Sequence, residues 1–357
     1  MNIQKGLIHK TLVIGIILLF VFMSINPSIA VNNVKKSSIP VSDGNTLYVG
    51  GSGLDNYTRI QDAIDNASSG DTVFVYDDSS PYYENIIIDK SINLIGEKRH
   101  TTIIDGNELG IVVKISSNYV NISKFTIRNS SFSSGGGVRG STNYSTISNN
   151  NIISNNRSGL LLLYSHFNTI NGNIINSNRW SGVHLGTCNN NIISGNTIIS
   201  NINEGFSQYD SHNNTISGNI VSKNEIGINI GMYCSNNTIS GNIVMFNEYG
   251  IHFYESQENN SIKNNSIRWN VYGLGLEYSY LNNIENNNFI RNVFNAYFDS
   301  YYMDENRSNY WNGNFWNRPR IIPKIIYGTL WTYGPWQREP DFEFDRNPAL
   351  IPNRIGE

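Results

Sequence analysis

The chain has 357 residues, 39% of them hydrophobic, and a formal net charge of −3. That length suits one large domain or two ordinary ones, and the charge is not basic enough for a nucleic-acid partner. Reading from the N-terminus, Lys5, His9 and Lys10 precede an apolar run over residues 12–23, and Pro27-Ser28-Ile29-Ala30 offers small residues before a cut after Ala30. This is the layout of a secretory signal peptide. The run is short for a membrane span, which needs about 20 residues. The expectation is therefore export to the cell surface or the medium, with a membrane link only through an uncleaved leader. Residues 31–45 read as a flexible polar linker.

Thr58-Arg59-Ile60-Gln61 matches a capping box, and Ile60, Ala63, Ile64 and Ala67 follow at helical spacing. A short amphipathic helix plugging one end of the fold is expected here. Strand-like pieces follow at 72–76, 86–88, 92–95, 102–104, 111–115 and 120–127, and Gly135-Gly136-Gly137 reads as a loop before a stricter pattern begins.

That pattern is a repeat. Its clearest copies are Thr169-Ile170-Asn171-Gly172-Asn173, Thr215-Ile216-Ser217-Gly218-Asn219 and Thr238-Ile239-Ser240-Gly241-Asn242. The closing asparagine recurs from Asn150 to Asn265 every 23 residues, and a last, shorter step reaches Asn287. A second asparagine stands five residues further on, at Asn155, Asn178, Asn201, Asn224, Asn247, Asn270 and Asn292. A glycine and an alternating apolar run follow the first six, as in Gly182-Val183-His184-Leu185.

A period in the twenties means a solenoid. Short Ile/Val runs separated by Asn, Gly and Ser predict three strands and three turns per coil, an all-β parallel β-helix rather than a leucine-rich repeat. Stacked coils place equivalent residues about 4.8 Å apart, so isoleucine sits on isoleucine and asparagine on asparagine. Asparagine suits such a turn because it tolerates left-handed backbone angles and can bond the next coil. Of nine prolines, none lies between Pro81 and Pro319, as strands paired on both sides require. Cys188 and Cys234 fall in one column two coils apart with Ser211 between them, roughly 9.6 Å by strand spacing and beyond disulfide reach.

The segments Ile60-Gln61-Asp62-Ala63-Ile64, Gly70-Asp71-Thr72-Val73-Phe74-Val75, Tyr83-Glu84-Asn85 and Ile92-Asn93-Leu94-Ile95-Gly96-Glu97 resemble the opening of pectin-lyase-like right-handed β-helices. The Asn-x-Ile-Ser-Gly-Asn coils resemble the NosD-type repeats of exported archaeal and bacterial proteins. The resemblance covers about residues 47–316 and implies a right-handed parallel β-helix. Pectate lyases of this fold hold calcium on clustered carboxylates and use a basic residue to abstract a proton; their hydrolase relatives use several aspartates. Between residues 106 and 298 this chain has one aspartate, Asp210. The NosD resemblance implies a copper association, but His166 and His212 stand two coils apart, and His184 and His252 about three. None can share an ion without help from elsewhere.

The regular coils are expected over 143–292 within a β-helix spanning 46–292. After them, Trp311, Trp316, Trp331 and Trp336 fall among six prolines, which reads as a C-terminal cap over 293–357 or as rings for sugar stacking. If the first and third residues after each glycine face inward, the second and fourth face solvent. Those include His184, Tyr209, His252, Tyr254 and Glu277, and flanking turns add Trp180, Glu204, Asp210, Glu225, Glu248, Tyr249 and Glu255. Aromatics mixed with acids suit a shallow carbohydrate surface.

The sequence thus reads as an exported β-helix that binds glycans or envelope components without catalysis, through Trp180, His184, Tyr209, His252 and Tyr254. A polysaccharide lyase, hydrolase or epimerase is the alternative, with Asp210, Glu255 and Glu277 as candidate acids. Asp210 and Glu255 fall about two coils apart, near the upper carboxylate spacing of inverting glycosidases. A copper-related accessory role is a further alternative. No metal site and no cofactor are expected, and the partner is a polysaccharide or cell-envelope glycan.

Overall fold

Two apolar triplets and one longer alternating run per repeat become three strands per coil. The computed structural model describes residues 44–133, 135–255, 258–301, 308–331 and 338–355. The expected signal peptide and nearly all of the linker lie outside them. A representative coil has a first strand Thr169–Asn171, a second strand Ile174–Asn176 and a third strand Val183–Gly186. Each pairs in parallel with its counterpart one coil on: Ile170 with Ile193, Ile175 with Ile198 and Val183 with Phe206. The second strands form an 11-stranded sheet, and the first and third strands belong to a 24-stranded one.

Alternation decides which residues fill the solenoid. Ile170, Ile175, Val183 and Leu185 are fully buried, and so are Ile216 and Ile239. Burying one such side chain contributes about 1.5–3 kcal/mol. Gln208 breaks the pattern, standing inward in register between Leu185 and Ile230; its Oε1 accepts from Asn214 Nδ2 at 3.2 Å.

Buried asparagines line all three turns. Asn173 donates its backbone N–H and its Nδ2 to Asn196 Oδ1, both at 3.0 Å, and Nδ2 also donates to the Ile147 carbonyl at 2.8 Å. The same triple contact repeats in the column through Asn178 and in a third column through Asn191. The sequence pattern exposes the first two columns; the third, from Asn168 to Asn309, follows no fixed Gly marker. The ladder asparagines do not adopt the left-handed angles expected of them. The residue before each one does: Gly172, Gly195, Gly218 and Gly241 have φ of 62–65°. The ladder asparagine is there for its amide, which satisfies buried backbone groups; its neighbour supplies the bend, glycine at these four turns and elsewhere residues such as Asn149, Asn190, Asn213 and Asn264 at φ of 54–60°, the left-handed angles expected of turn asparagines.

The glycine that opens each third strand has another cause. A Cβ on Gly182 would lie 2.6 Å from the Gly205 carbonyl and 2.8 Å from Asn201 Nδ2. Gly137 meets the same obstacles at Gly159 and Asn155, and it lies within strand Gly136–Gly140. The expected loop at 135–137 is therefore the first strand end of this glycine column.

The N-terminal end is plugged by helix Ile60–Asn66, with Ile60, Ala63 and Ile64 buried. No capping box forms. Arg59 is the N-cap and makes no side-chain cap bond. Glu84, one coil away, accepts from Ile60 N at 2.8 Å and Gln61 N at 3.0 Å. At the other end Lys90 Nζ donates to the carbonyls of Ile64, Asp65 and Ala67 at 2.6–3.0 Å. An anion at the start and a cation at the end both complement the helix dipole.

Coil stacking continues past residue 292. Leu274 pairs with Ala296, Ile284 with Trp311 and Phe289 with Trp316. The closing element is the hairpin of Lys324–Trp331 and Arg338–Asp345, whose antiparallel pairing ends the parallel stack. Two ladders end on its carboxylates. Asn309 N and Nδ2 donate to Glu343 Oε1, and Asn314 N and Nδ2 donate to Asp345 Oδ2. Each of these carboxyl oxygens accepts from both the N–H and the Nδ2 of the last asparagine, so the ladder ends with its donors satisfied. Trp311 Nε1 and Trp316 Nε1 donate to the same two groups. Trp311 and Trp316 are 3% and 1% exposed, so these two rings close the core and offer no sugar platform.

Candidate functional site

The outward positions of the third strands form the surface of interest. Strands Tyr249–Tyr254, Tyr272–Glu277 and Phe294–Tyr301 lie side by side in it. One outward column runs Tyr249, Tyr272, Phe294. Its rings stack, with centroids 4.8 Å apart for Tyr249 and Tyr272 and 5.2 Å for Tyr272 and Phe294, both at 14°. Stacked rings spend their faces on one another, so the surface meets ring edges and the tyrosine hydroxyls.

The next column runs His252, Gly275, Tyr297, and the one beyond it Tyr254, Glu277, Asp299. Gly275 makes the centre possible. A Cβ there would lie 2.6 Å from Tyr297 Oη, so only a glycine lets the phenol lie across its strand. Tyr297 Oη then donates to Glu277 Oε1 at 2.7 Å. His252 Nε2 is 3.3 Å from the same oxygen, within ion-pair reach. The angle is not that of a hydrogen bond, and neither nitrogen of this half-buried ring has a hydrogen-bond partner. His252 and the Tyr297 hydroxyl hold the Glu277 carboxyl below its ordinary range, against the effect of burial. Burial, reinforced by Glu277, pushes the Tyr297 hydroxyl well above its own. Glu277 is thus a carboxylate clasped between a histidine and a phenol (Tyr297), beside an aromatic stack.

The other expected residues are spread over earlier coils. His184 pairs in register with Leu161 and Ser207, and its Nδ1 is 2.8 Å from Ser207 Oγ. Burial pushes its pKa down. Tyr209 is 45% exposed and packs edge-on against Tyr233. Trp180 is half exposed, with the Arg157 guanidinium 5.5 Å above its ring. Of the expected surface residues, Tyr249, His252, Tyr254 and Glu277 meet, with the Tyr249 and His252 ring centroids 5.4 Å apart. Tyr272, Phe294 and Tyr297 were missed; adding 23 and then 22 residues to Tyr249 reaches the first two.

Asp210 and Glu255 do share a column. Asp210 N donates to Met232 O and Tyr233 N to Glu255 O, so Tyr233 separates them and they stand two coils apart. Asp210 is occupied by Thr187 Oγ1 at 3.2 Å and by His212 Nε2 at 3.7 Å. Cys188 and Cys234 are free and buried, and burial pushes their thiols up to about 11 and about 12. Among the described residues no group of three His, Cys, Asp or Glu could hold a metal ion.

A second surface lies across the turn before the third strands. Phe246 and Trp269 stack at 5.2 Å and 2°, and the Arg268 guanidinium lies 4.9 Å over Trp269. Arg268 is half-buried with its Nε unpartnered. At the C-terminal end a cavity of about 450 Å³ is lined by Tyr310, Phe342, Glu343 and Arg346 among others. Burial pushes the Glu343 carboxyl up to about 7, although Trp311 and Asn309 donate to it.

A family model described as right handed beta helix region matches residues 26–210 and 136–289. Among solved structures, the mannuronan C-5 epimerase AlgE6 A-module of Azotobacter vinelandii is similar at 16% identity and a TM-score of 0.55, over 82% of this chain and 93% of that one. The pectate lyase Pel9A is similar at 13% identity and 0.53, over 73% and 76%. The C387A mutant of DFA-IIIase from Arthrobacter chlorophenolicus A6 is similar at 12% and 0.50, over 82% and 85%. At these identities the likeness is one of fold. No curated protein matches the sequence.

Proposed function

Because the chain belongs to the right-handed β-helix family, we propose that it is an exported protein that binds a glycan chain, without cleaving it, along the third face of its last coils. The observation that carries this reading is the gathering of Tyr249, Tyr272, Phe294, His252, Glu277 and Tyr297 onto three neighbouring strands. Ring edges, hydroxyls, an imidazole and a carboxylate along a shallow strip suit the hydroxyl-rich, partly apolar surface of a sugar chain. The fold neighbours named as a pectate lyase and a mannuronan epimerase act on such polymers, which supports a glycan partner.

One observation favours a second reading, an enzyme acting on polysaccharide. Glu277, His252 and Tyr297 place three proton-carrying groups around one point, and a substrate proton lying between them would have both an acceptor and a donor at hand. The Asp210 and Glu255 pair fits hydrolysis less well, since it stands roughly 9.6 Å apart along the solenoid with Tyr233 between.

Incubating the purified chain with acidic, neutral and amino polysaccharides separates these readings. Retention on a polymer without release of unsaturated or reducing ends is the expected result. Product release would establish the enzyme instead. Neither retention nor product would refute both.

A further inference from the structure

The chemistry of the third face narrows the glycan. Its two rims and its last column are acidic. Glu225 and Glu248 open adjacent third strands on one rim and are exposed. Asp210 and Glu255 close strands on the other rim, and Glu277 and Asp299 continue the Tyr254 column over the next two coils. Residues 180–299 contain four lysines and arginines, Lys223, Lys263, Arg268 and Arg291. None lies on a third strand or on the turn that follows one. Lys223, Arg268 and Arg291 belong to the turn ridge or the second strand, on the far side of the buried Asn224 ladder, and Lys263 ends a first strand. Among the described residues no lysine or arginine pairs with Glu225, Glu248, Glu255 or Glu277.

A polyuronate laid on this face would bring one carboxylate per sugar against Glu225, Glu248 and Glu255, with no lysine or arginine on the third strands between residues 180 and 299 to receive it. A chain of free amino sugars would meet the reverse. Its ammonium groups would find Glu225 and Glu248 on one rim, and Glu277 and Asp299 in the last column, at a coil spacing of about 4.8 Å, and Asp210 and Glu255 two coils apart on the other rim. Its ring edges would meet the Tyr249, Tyr272 and Phe294 stack. We infer that the glycan recognised by the third face is a polymer of amino sugars with unsubstituted amino groups. This rests on the glycan-binding reading and departs from the polymers named for the pectate lyase and mannuronan epimerase neighbours.

The test is titration of the full chain with three oligosaccharide probes of equal length: glucosamine oligomers, their N-acetylated and therefore neutral counterparts, and oligogalacturonate. The inference predicts binding to the glucosamine oligomers, weakening as salt rises. It predicts about tenfold weaker binding by the Glu248→Gln/Glu255→Gln double variant, two screened ion pairs' worth. Unchanged circular dichroism would show that this variant still folds. The Lys223→Gln variant, altered on the ridge, should bind as the unaltered chain does. Equal binding of the neutral oligomers would overturn the amino-sugar assignment and leave the glycan reading standing, as would preference for oligogalacturonate. Binding of none of the three, together with no retention on the wider polysaccharide panel, would overturn both.

Discussion

Replacing Asn219 with alanine tests what the ladders contribute. Its Oδ1 accepts from Asn196 N at 2.9 Å and Asn196 Nδ2 at 3.0 Å. Its Nδ2 donates to the Ile193 carbonyl at 2.9 Å and to Asn242 Oδ1 at 3.0 Å. Asn219→Ala removes all four bonds at a fully buried position. At about 1 kcal/mol per bond the loss is about 4 kcal/mol, and the orphaned Asn196 donors add to it. Urea unfolding measures this through the midpoint and slope. A long repeat array need not unfold in one step, so hydrogen exchange at the Asn196 amide supplies a local reading. The expected result is a destabilisation of several kcal/mol and markedly faster exchange at Asn196. A loss below about 1 kcal/mol with unchanged exchange would mean the ladder is not a stabilising element, and the reasoning would fail.

Ile216→Asp puts an unpaired carboxylate between coils at a fully buried site, and several kcal/mol of desolvation should leave no soluble folded protein; native-like circular dichroism would refute the inward assignment. The two glycine columns should respond by different mechanisms. Gly205→Ala drives a Cβ to 2.6 Å from Val221 Cγ1 and 2.8 Å from the Gly227 carbonyl, for about 1–3 kcal/mol of overpacking. Gly218→Ala meets nothing within 4 Å but keeps a φ of +62°, for roughly 1–2 kcal/mol of strain; calorimetric melting of both should show the larger drop for Gly205. Glu343, raised from 4.5 to about 7 by burial, holds a proton in the folded state that the unfolded chain releases. Its contribution is complete below about pH 4.5 and is lost as pH rises through about 7, on the order of 3 kcal/mol. Urea midpoints across that window should show the slope in the unaltered chain and a flatter line in Glu343→Gln.

The columns were legible because a solenoid writes its contacts at constant sequence separation. Ile170 lies on Ile193, and Asn173 bonds Asn196, as the 23-residue step predicts. The capping of the helix was not legible: Glu84 and Lys90 reach it from the next coil, and no local motif records a partner more than 20 residues away. The ladder ends at Glu343 and Asp345 were equally hidden, since the hairpin that carries them does not repeat. Within the site, His252, Tyr254 and Glu277 could be placed from alternation alone. Tyr297 could not, because its role depends on the missing side chain of Gly275 and on a phenol crossing its neighbour's strand.

The central claim is that the third face of the last coils is the binding surface. Affinity electrophoresis through gels containing a retained polysaccharide, comparing the unaltered chain with Tyr249→Ala/Tyr272→Ala, tests it most directly. Both tyrosines are partly exposed and their rings contribute to the face more than to the core. The expected result is retardation of the unaltered chain and its loss in the variant, with both migrating alike in plain gel. Equal retardation of the two would place the binding surface elsewhere and contradict the account.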